Sequence, residues 1–306
     1  MASRRSFLKT VAGAAGMGVC APSLLAVEPF VRNGPPRLLL SLAAYSFRDF
    51  FIDARHKRAA PPDPAKAIDM FKFIDYCAEQ GCAGELTSYF FPKDVSNEYL
   101  LNVRRHAFLR GVPVSGTAVG NNFALPQGAA RDGEIASVKA WIDRAALLGA
   151  PHIRVFAGSA KDITDAEARK MCISALEECS DYAGTKGIFL GLENHGGIVA
   201  EPEGLLEIIK TVKSQWLGIN LDSGNFHGAD PYAQLEMCAP YAVNVQIKVE
   251  LKRKDAKTHE ASDLPRLAKM LKDVKYQGYV ALEYEAKEDP WQAVPPALKK
   301  LREVLS

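Results

Sequence analysis

Three carboxylates each close a short apolar run in the C-terminal half of this chain. They are Glu193 in Ile188-Phe-Leu-Gly-Leu-Glu-Asn-His195, Asp222 in Leu217-Gly-Ile-Asn-Leu-Asp222 and Glu283 in Tyr279-Val-Ala-Leu-Glu283. Gln246 holds the comparable place in Val243-Asn-Val-Gln-Ile-Lys-Val249. A carboxylate at the end of a buried strand is costly unless something compensates it, and a shared divalent cation is the usual compensation. Four such positions on four successive runs predict one metal site where four strand ends converge.

The elements needed to bring them together are legible. From Arg37 onward, short apolar runs alternate with amphipathic stretches, predicting strands over 38–47, 82–87, 113–119, 152–157, 188–194, 217–222, 242–249 and 278–284. Helical patterns fall near 65–80, 96–110, 131–148, 164–186, 202–213, 231–238, 263–275 and 290–305. Eight β/α units predict an α/β fold, a single-domain (β/α)8 TIM barrel over 37–306, with 27–36 as an N-terminal linker. Strict repeats are absent, which excludes a solenoid.

Parity along each strand says which groups face the barrel interior. Asn220 and Asp222 share one face of their strand, as do Asn244, Gln246 and Lys248. Glu283 and Glu285, and Glu193 and His195, are placed inside in the same way. Earlier strands contribute Glu85 and Thr87, Thr117 and Asn121, and His152 and Arg154. Barrel enzymes work at the C-terminal ends of their strands, where these groups collect.

The motifs Gly191-Leu-Glu-Asn-His195, Leu221-Asp-Ser-Gly224 and Ala281-Leu-Glu283 resemble the sugar phosphate isomerase/epimerase superfamily, whose barrel is xylose isomerase-like. The resemblance covers nearly all of the chain after its first 26 residues. It implies one Mn2+, or Mg2+ or Co2+, held by Glu193, Asp222, Gln246 and Glu283, with Gln246 standing where the family usually has His. A Gln carbonyl ligates a hard cation more weakly than an imidazole, and an all-oxygen set favours Mn2+ or Mg2+ over Zn2+. The same resemblance implies that Glu193 and Glu283 are opposed acid/base groups exchanging a proton beside a substrate carbonyl through an enediolate. Glu85, Arg154, His195, Lys248, Asn225 and His227 are the expected substrate contacts. Asn225 stands where ketose 3-epimerases of the family tend to have a substrate-binding His, and His227 is displaced by two positions.

The aromatic groups Tyr45-Ser-Phe47-Arg48-Asp-Phe50-Phe51 and Ser88-Tyr-Phe-Phe-Pro92 follow the first two strands. They are read as an apolar wall over a sugar ring or, equally, as ordinary loop packing. His152 is read as a core histidine, and the mixed-charge run 248–257 as a solvated loop.

Composition narrows the setting. The formal charge is +2, and the first 26 residues carry Arg4, Arg5 and Lys9 with no acid, so without them the balance is −1. That offers no global field for nucleic acid or an anionic membrane. Ser3-Arg4-Arg5-Ser6-Phe7-Leu8-Lys9, a Gly/Ala-rich stretch and Leu24-Leu25-Ala26 closely resemble a twin-arginine (Tat) signal over 1–26. The expectations are export to the periplasm by the Tat machinery and no stable membrane anchor, with homo-oligomer formation left open. Cys77, Cys82, Cys172, Cys179 and Cys238, without metal-type spacing, are read as free structural thiols.

The favoured function is a divalent-metal-dependent isomerase or epimerase acting on a small keto-sugar or related polyol. Export favours a free or oxidised sugar over a phosphate. The runner-up shares the first proton abstraction: a lyase or dehydratase on a keto-inositol or 3-keto-glycoside. A catalytically degenerate sugar-binding barrel, with Gln246 as the lesion, is the third reading. Phosphodiester hydrolysis, for which the resemblance implies a multinuclear zinc cluster, is disfavoured, since the six histidines are not arranged to supply one.

Overall fold

The computed structural model describes residues 27–54, 63–159 and 161–306. The expected signal segment, 1–26, therefore lies outside the described residues. Eight parallel strands close into a barrel: β1 (Arg37–Ala43), β2 (Ala83–Thr87), β3 (Val114–Ala118), β4 (His152–Val155), β5 (Phe189–Glu193), β6 (Leu217–Asp222), β7 (Ala242–Ile247) and β10 (Gln277–Leu282). Helices α1 (Met70–Gln80), α2 (Asn97–Leu109), α3 (Ala129–Leu148), α4 (Asp165–Gly184), α5 (Pro202–Thr211), α6 (Pro231–Cys238), α7 (Leu264–Asp273) and α8 (Pro290–Leu305) alternate with them. The chain is a single (β/α)8 barrel.

Local chemistry explains the helix ends. Asp69 caps α1 by accepting from Lys72 N–H, and α1 ends at Gly81 in the left-handed region, where a Cβ is strained. Thr164 and Glu167 form a reciprocal capping box on α4. Proline opens α5, α6 and α8, where the missing N–H has no helical partner anyway. The expectation of a helix from residue 65 overran: α1 starts at Met70, after Asp69 takes the cap.

The strands bury apolar side chains outward against the helices, with polar and small ones inward. Every residue of β6 is buried, so its period-2 split is interior against helix layer rather than core against water. Small interior residues leave room for large neighbours. An added Cβ at Gly116 would lie 1.8 Å from the His152 ring.

The first strand ends at Ala43 rather than 47, because Ala44–Phe47 wind into a 3-10 turn, and two further segments also depart from the sequence expectation. Residues 27–36 were expected to link; Val27, Phe30 and Arg32 among them pack against the barrel, while most of the others are exposed. Phe30 N–H bonds the Pro240 carbonyl, the Phe30 ring meets Phe189 edge-on at 6.1 Å, and Val27 is buried. The run after β7 contains a short antiparallel pair, β8 (Glu250–Leu251) with β9 (Glu260–Ala261), rather than being loop throughout. All five described cysteines are free and buried. Among the described residues no helix is long and apolar enough to cross a membrane.

His152 sits near the bottom of the interior with its Nδ1 3.0 Å from the Ser115 carbonyl. Burial, with Arg154 adding to it, pushes its pKa down to about 4. The fold therefore favours the neutral ring. Stability from this group is complete above the unfolded value near 6.5 and falls as pH drops toward 4, by roughly 3 kcal/mol in all. An NMR titration should place the His152 midpoint near 4. A midpoint at or above about 6.5 would show that the ring is solvated.

Candidate active site

The interior polar groups form two layers. The lower is a hydrogen-bonded floor beneath the mouth. Gln246 Nε2 donates to Glu85 Oε1 at 2.7 Å, and Asn244 Nδ2 donates to Glu85 Oε2 at 2.9 Å. Asn220 Nδ2 donates to Gln246 Oε1 at 2.6 Å, and Asn244 Nδ2 also lies 2.8 Å from Asn220 Oδ1. A carboxylate accepts but does not donate, so Glu85 requires the amide nitrogen of Gln246 to face it. All four side chains are buried. Burial, with Glu283 adding repulsion, pushes Glu85 up to about 7. Glu85 thus belongs to the floor and not to the cavity wall, contrary to its expected role as a substrate contact.

The upper layer surrounds a cavity of about 340 Å3 at the C-terminal ends of the strands, near the lower end for small-molecule sites. Its lining includes Arg154, Glu193, His195, Asn225, Lys248 and Glu283. Arg154, from β4, is ion-paired through Nε to Glu193 Oε2 at 2.8 Å and lies over the Phe156 ring at 3.9 Å. Asn225 Nδ2 donates to Glu193 Oε1 at 2.8 Å. His195 packs on Phe156 with ring centroids 4.6 Å apart.

Asp222 is fixed from behind by Asn194, which accepts from its N–H at 2.8 Å and donates to its carbonyl at 2.9 Å. Asp222 Oδ1 accepts from Gly224 N–H at 2.8 Å, while buried Oδ2 has no hydrogen-bond partner among the described residues. The nearest compensation for Oδ2 is Lys248, whose Nζ lies 3.4 Å away. The same ammonium lies 3.3 Å from Glu283 Oε2 and pairs with Glu285.

These contacts set the electrostatics. Glu193, Asp222, Glu283 and Glu285 face two cations, Arg154 and Lys248. Burial pushes Glu193 and Glu283 up to about 7 and Asp222 up to about 6, against the opposing pull of Arg154 on the first and Lys248 on the other two. Burial would lower the Lys248 pKa, but Asp222, Glu283 and Glu285 together hold it well above the usual lysine value.

Both ends of the Gln246 amide are engaged, with Oε1 accepting from Asn220, and Nε2 donating to Glu85 and lying 3.5 Å from Glu283 Oε1. Among the described residues no three His, Cys, Asp or Glu side chains are arranged to hold a metal ion. The gap between Asp222 and Glu283 is spanned by Lys248 Nζ. In this arrangement the four expected ligands do not fit a shared divalent cation.

Of the expected substrate contacts, Arg154, His195, Lys248 and Asn225 come together at the cavity with Glu193 and Glu283. His227 does not: it is exposed, and its Nδ1 faces the Lys252 carbonyl at 3.0 Å. The aromatic wall divides. Tyr45 and Tyr89 line the cavity, whereas Phe47, Phe51, Phe90 and Phe91 are fully buried, with Phe51 and Phe90 stacked at 4.3 Å. Sequence reasoning missed Asn194, on the helix-facing parity of β5, and gave Glu285 no role although parity placed it inward. Phe156 was also missed; its place after β4, two residues past Arg154, is the signal that marks it.

Residues 68–304 match the sequence profile of the family described as xylose isomerase-like TIM barrel. Among solved structures, the barrel resembles D-psicose 3-epimerase from Clostridium cellulolyticum H10, crystallised with D-tagatose. That match has a TM-score of 0.69 at 15% identity, over 88% of this chain and 99% of the other. It also resembles 3-keto-D-glucoside 4-epimerase from E. coli, with a TM-score of 0.63 at 17% identity over 87% and 100% of the two chains. A xylose isomerase-like barrel from Mycobacterium smegmatis in complex with magnesium matches with a TM-score of 0.66 at 19% identity, over 89% and 97%. At these identities the likeness shows the fold. No curated protein sequence matches.

The floor makes a checkable demand. Gln246→Leu leaves buried Glu85 Oε1 and Asn220 Nδ2 without partners, so thermal or urea unfolding should show a loss of about 1–3 kcal/mol. A stability unchanged from wild type would mean that the amide is not tied into the floor.

Proposed function

The chain belongs to the xylose isomerase-like TIM barrel family, and from that premise we propose that it is an isomerase or epimerase of a small, uncharged keto-sugar or related polyol. The observation that carries this reading is that Glu193 and Glu283 face one cavity from strands three apart around the barrel, each beside a fixed cation. Such a pair can act on opposite faces of a bound substrate. One carboxylate takes the proton from the carbon next to the carbonyl, the C–H electron pair moves into a new C=C bond, and the carbonyl π pair moves to oxygen. The other carboxylate returns a proton to carbon. Values near 7 for both groups suit this exchange, because a group titrating near the working pH can both accept and donate.

Arg154 keeps Glu193 oriented, and its own orientation is set by Phe156 and by Arg154 Nη1 donating to the Val119 carbonyl at 3.2 Å. Asn225, His195, Tyr45 and Tyr89 supply hydrogen-bonding groups for sugar hydroxyls around the same cavity. The excess of acids over bases in the mouth disfavours a phosphorylated substrate, which supports a neutral sugar. The family resemblance and the epimerase neighbours support the same class. Mn2+ is the cation expected from the oxygen-rich ligand set, but Lys248 would have to leave the gap between Asp222 and Glu283 to admit it.

Incubation with keto-sugars in D2O, followed by NMR, tests the chemistry. Wild type should exchange the proton next to the carbonyl and form the epimer or isomer. Glu193→Gln and Glu283→Gln should each lower the exchange rate by about 100-fold or more while the protein stays folded. Unchanged exchange in either variant would remove that residue from the acid/base pair. Loss of water or aglycone would show the elimination reading instead.

Export is part of the proposal and rests on Ser3-Arg4-Arg5 and the segment after it. Replacing both arginines by lysine should leave the protein in the cytoplasmic fraction of a Tat-competent bacterium. Normal export of that variant would overturn the assignment.

A further inference from the structure

The disagreement between the expected metal ligands and their arrangement has a specific physical content. Lys248 Nζ contacts Asp222, Glu283 and Glu285 together, three carboxylates from the ends of β6 and β10. A lysine on a flexible four-carbon stem does not hold such a place without support, because fixing it costs side-chain entropy. Here the support is built in. Lys248 N–H donates to Ser223 Oγ at 2.8 Å, and its carbonyl accepts from Ser262 Oγ at 2.7 Å.

The stem lies against Gly224, where an added Cβ would meet Lys248 Cδ at 2.6 Å and Cβ and Cγ at 3.2 Å. That glycine has an ordinary backbone conformation, so its small size answers to the lysine and not to a turn. The Asp222-Ser223-Gly224 run thus supplies one carboxylate for the ammonium, one anchor for its backbone and a groove for its stem.

We propose that the Lys248 ammonium takes the place of the divalent cation, so that the mouth carries a covalently fixed positive charge and works without a metal. Three donors on one nitrogen match the three carboxylates it touches. Resting on the isomerase or epimerase reading, one of those three donors turns from its carboxylate to the substrate oxygen when substrate enters the cavity that Lys248 lines beside Glu283. That oxygen gains charge when the C–H pair becomes C=C and the carbonyl π pair moves onto it; the proton lost from carbon resides on a glutamate, and no oxidant or metal enters. Gln246 fits the same account, since its oxygen is turned to Asn220 and its nitrogen to Glu85, and neither atom is directed to Asp222.

The test measures Mn2+ binding to full-length, chelator-treated protein by calorimetry, together with thermal unfolding with and without Mn2+. Wild type should bind Mn2+ at least about 100-fold more weakly than Lys248→Met and show no rise in unfolding temperature. Lys248→Met, with its carboxylates released, should take up one Mn2+ and be stabilised by it. Gly224→Ala, which crowds the lysine stem, serves as the second variant if Lys248→Met does not fold, and should gain Mn2+ binding in the same direction.

Tight stoichiometric Mn2+ binding by wild type, with a raised unfolding temperature, would overturn the proposal. So would the absence of Mn2+ binding in every folded variant, since the mouth would then not be a cation site at all. Solvent-proton exchange into keto-sugars with chelator present is the parallel arm. Exchange that persists supports the lysine, and exchange that requires Mn2+ overturns it. No exchange under either condition speaks against the isomerase or epimerase reading and leaves the metal-binding result to judge Lys248 on its own.

Discussion

The whole mouth of this barrel is organised by the cost of burying carboxylates. Glu85, Glu193, Asp222 and Glu283 are all almost fully withdrawn from water. Removing an ionised group from water costs several kcal/mol even after relaxation, so each requires a partner or a proton. The structure answers in three ways. Arg154 pairs with Glu193, Lys248 is shared among Asp222, Glu283 and Glu285, and side-chain amides surround Glu85. What is left over appears as carboxyl pKa values raised toward neutrality. Residual strain from burial is thereby converted into groups that can move a proton at ordinary pH.

Rigidity follows from the same constraint. An ion pair in a low-dielectric cavity is worth its desolvation only when its geometry holds. Asn194 clamps the backbone of Asp222 from the adjacent strand, and Glu283 N–H is fixed to the Ile247 carbonyl. Arg154 is held between Phe156 and the Val119 carbonyl. The Asn194, Ile247 and Val119 clamps each come from the strand end next to the one they steady, as a closed sheet allows. The glycines serve the same end: Gly116 admits His152, and Gly224 admits Lys248.

Much of this was legible in the chain because strand parity is a strict period of two. Once the barrel was recognised, the facing of Glu193, Asp222, Gln246, Glu283, Arg154 and Lys248 followed, and the eight helices came within a few residues. Parity assigns a face but not a height or a rotamer. Glu85 therefore looked like a cavity group, although it lies a layer lower, and Gln246 looked like a ligand, although its amide is consumed sideways. His227 was placed by its distance from Asp222 along the chain, yet the turn after β6 carries it outward to the Lys252 carbonyl. The aromatic loops failed differently: hydrophobicity does not distinguish a ring that walls a cavity from one that stacks beneath it. Tyr45 and Tyr89 reach the cavity, while Phe51 and Phe90 spend their area on each other.

Position 246 ties these threads together. An imidazole there would have two distinct nitrogens, so it could donate one N–H downward to Glu85 and still offer the other nitrogen upward to a cation. The amide has an oxygen and a nitrogen on one short fork, and the floor engages both. With the amide at 246 turned to Asn220 and Glu85, the positive charge beside Asp222 and Glu283 comes from another residue. The next inward position on the same strand register carries Lys248, past the C-terminal end of β7, whose stem reaches them along Gly224. An ammonium brings only one positive charge where a divalent cation would bring two. Burial that this single charge only partly offsets is what raises the Glu283 and Asp222 carboxyl groups beside the lysine.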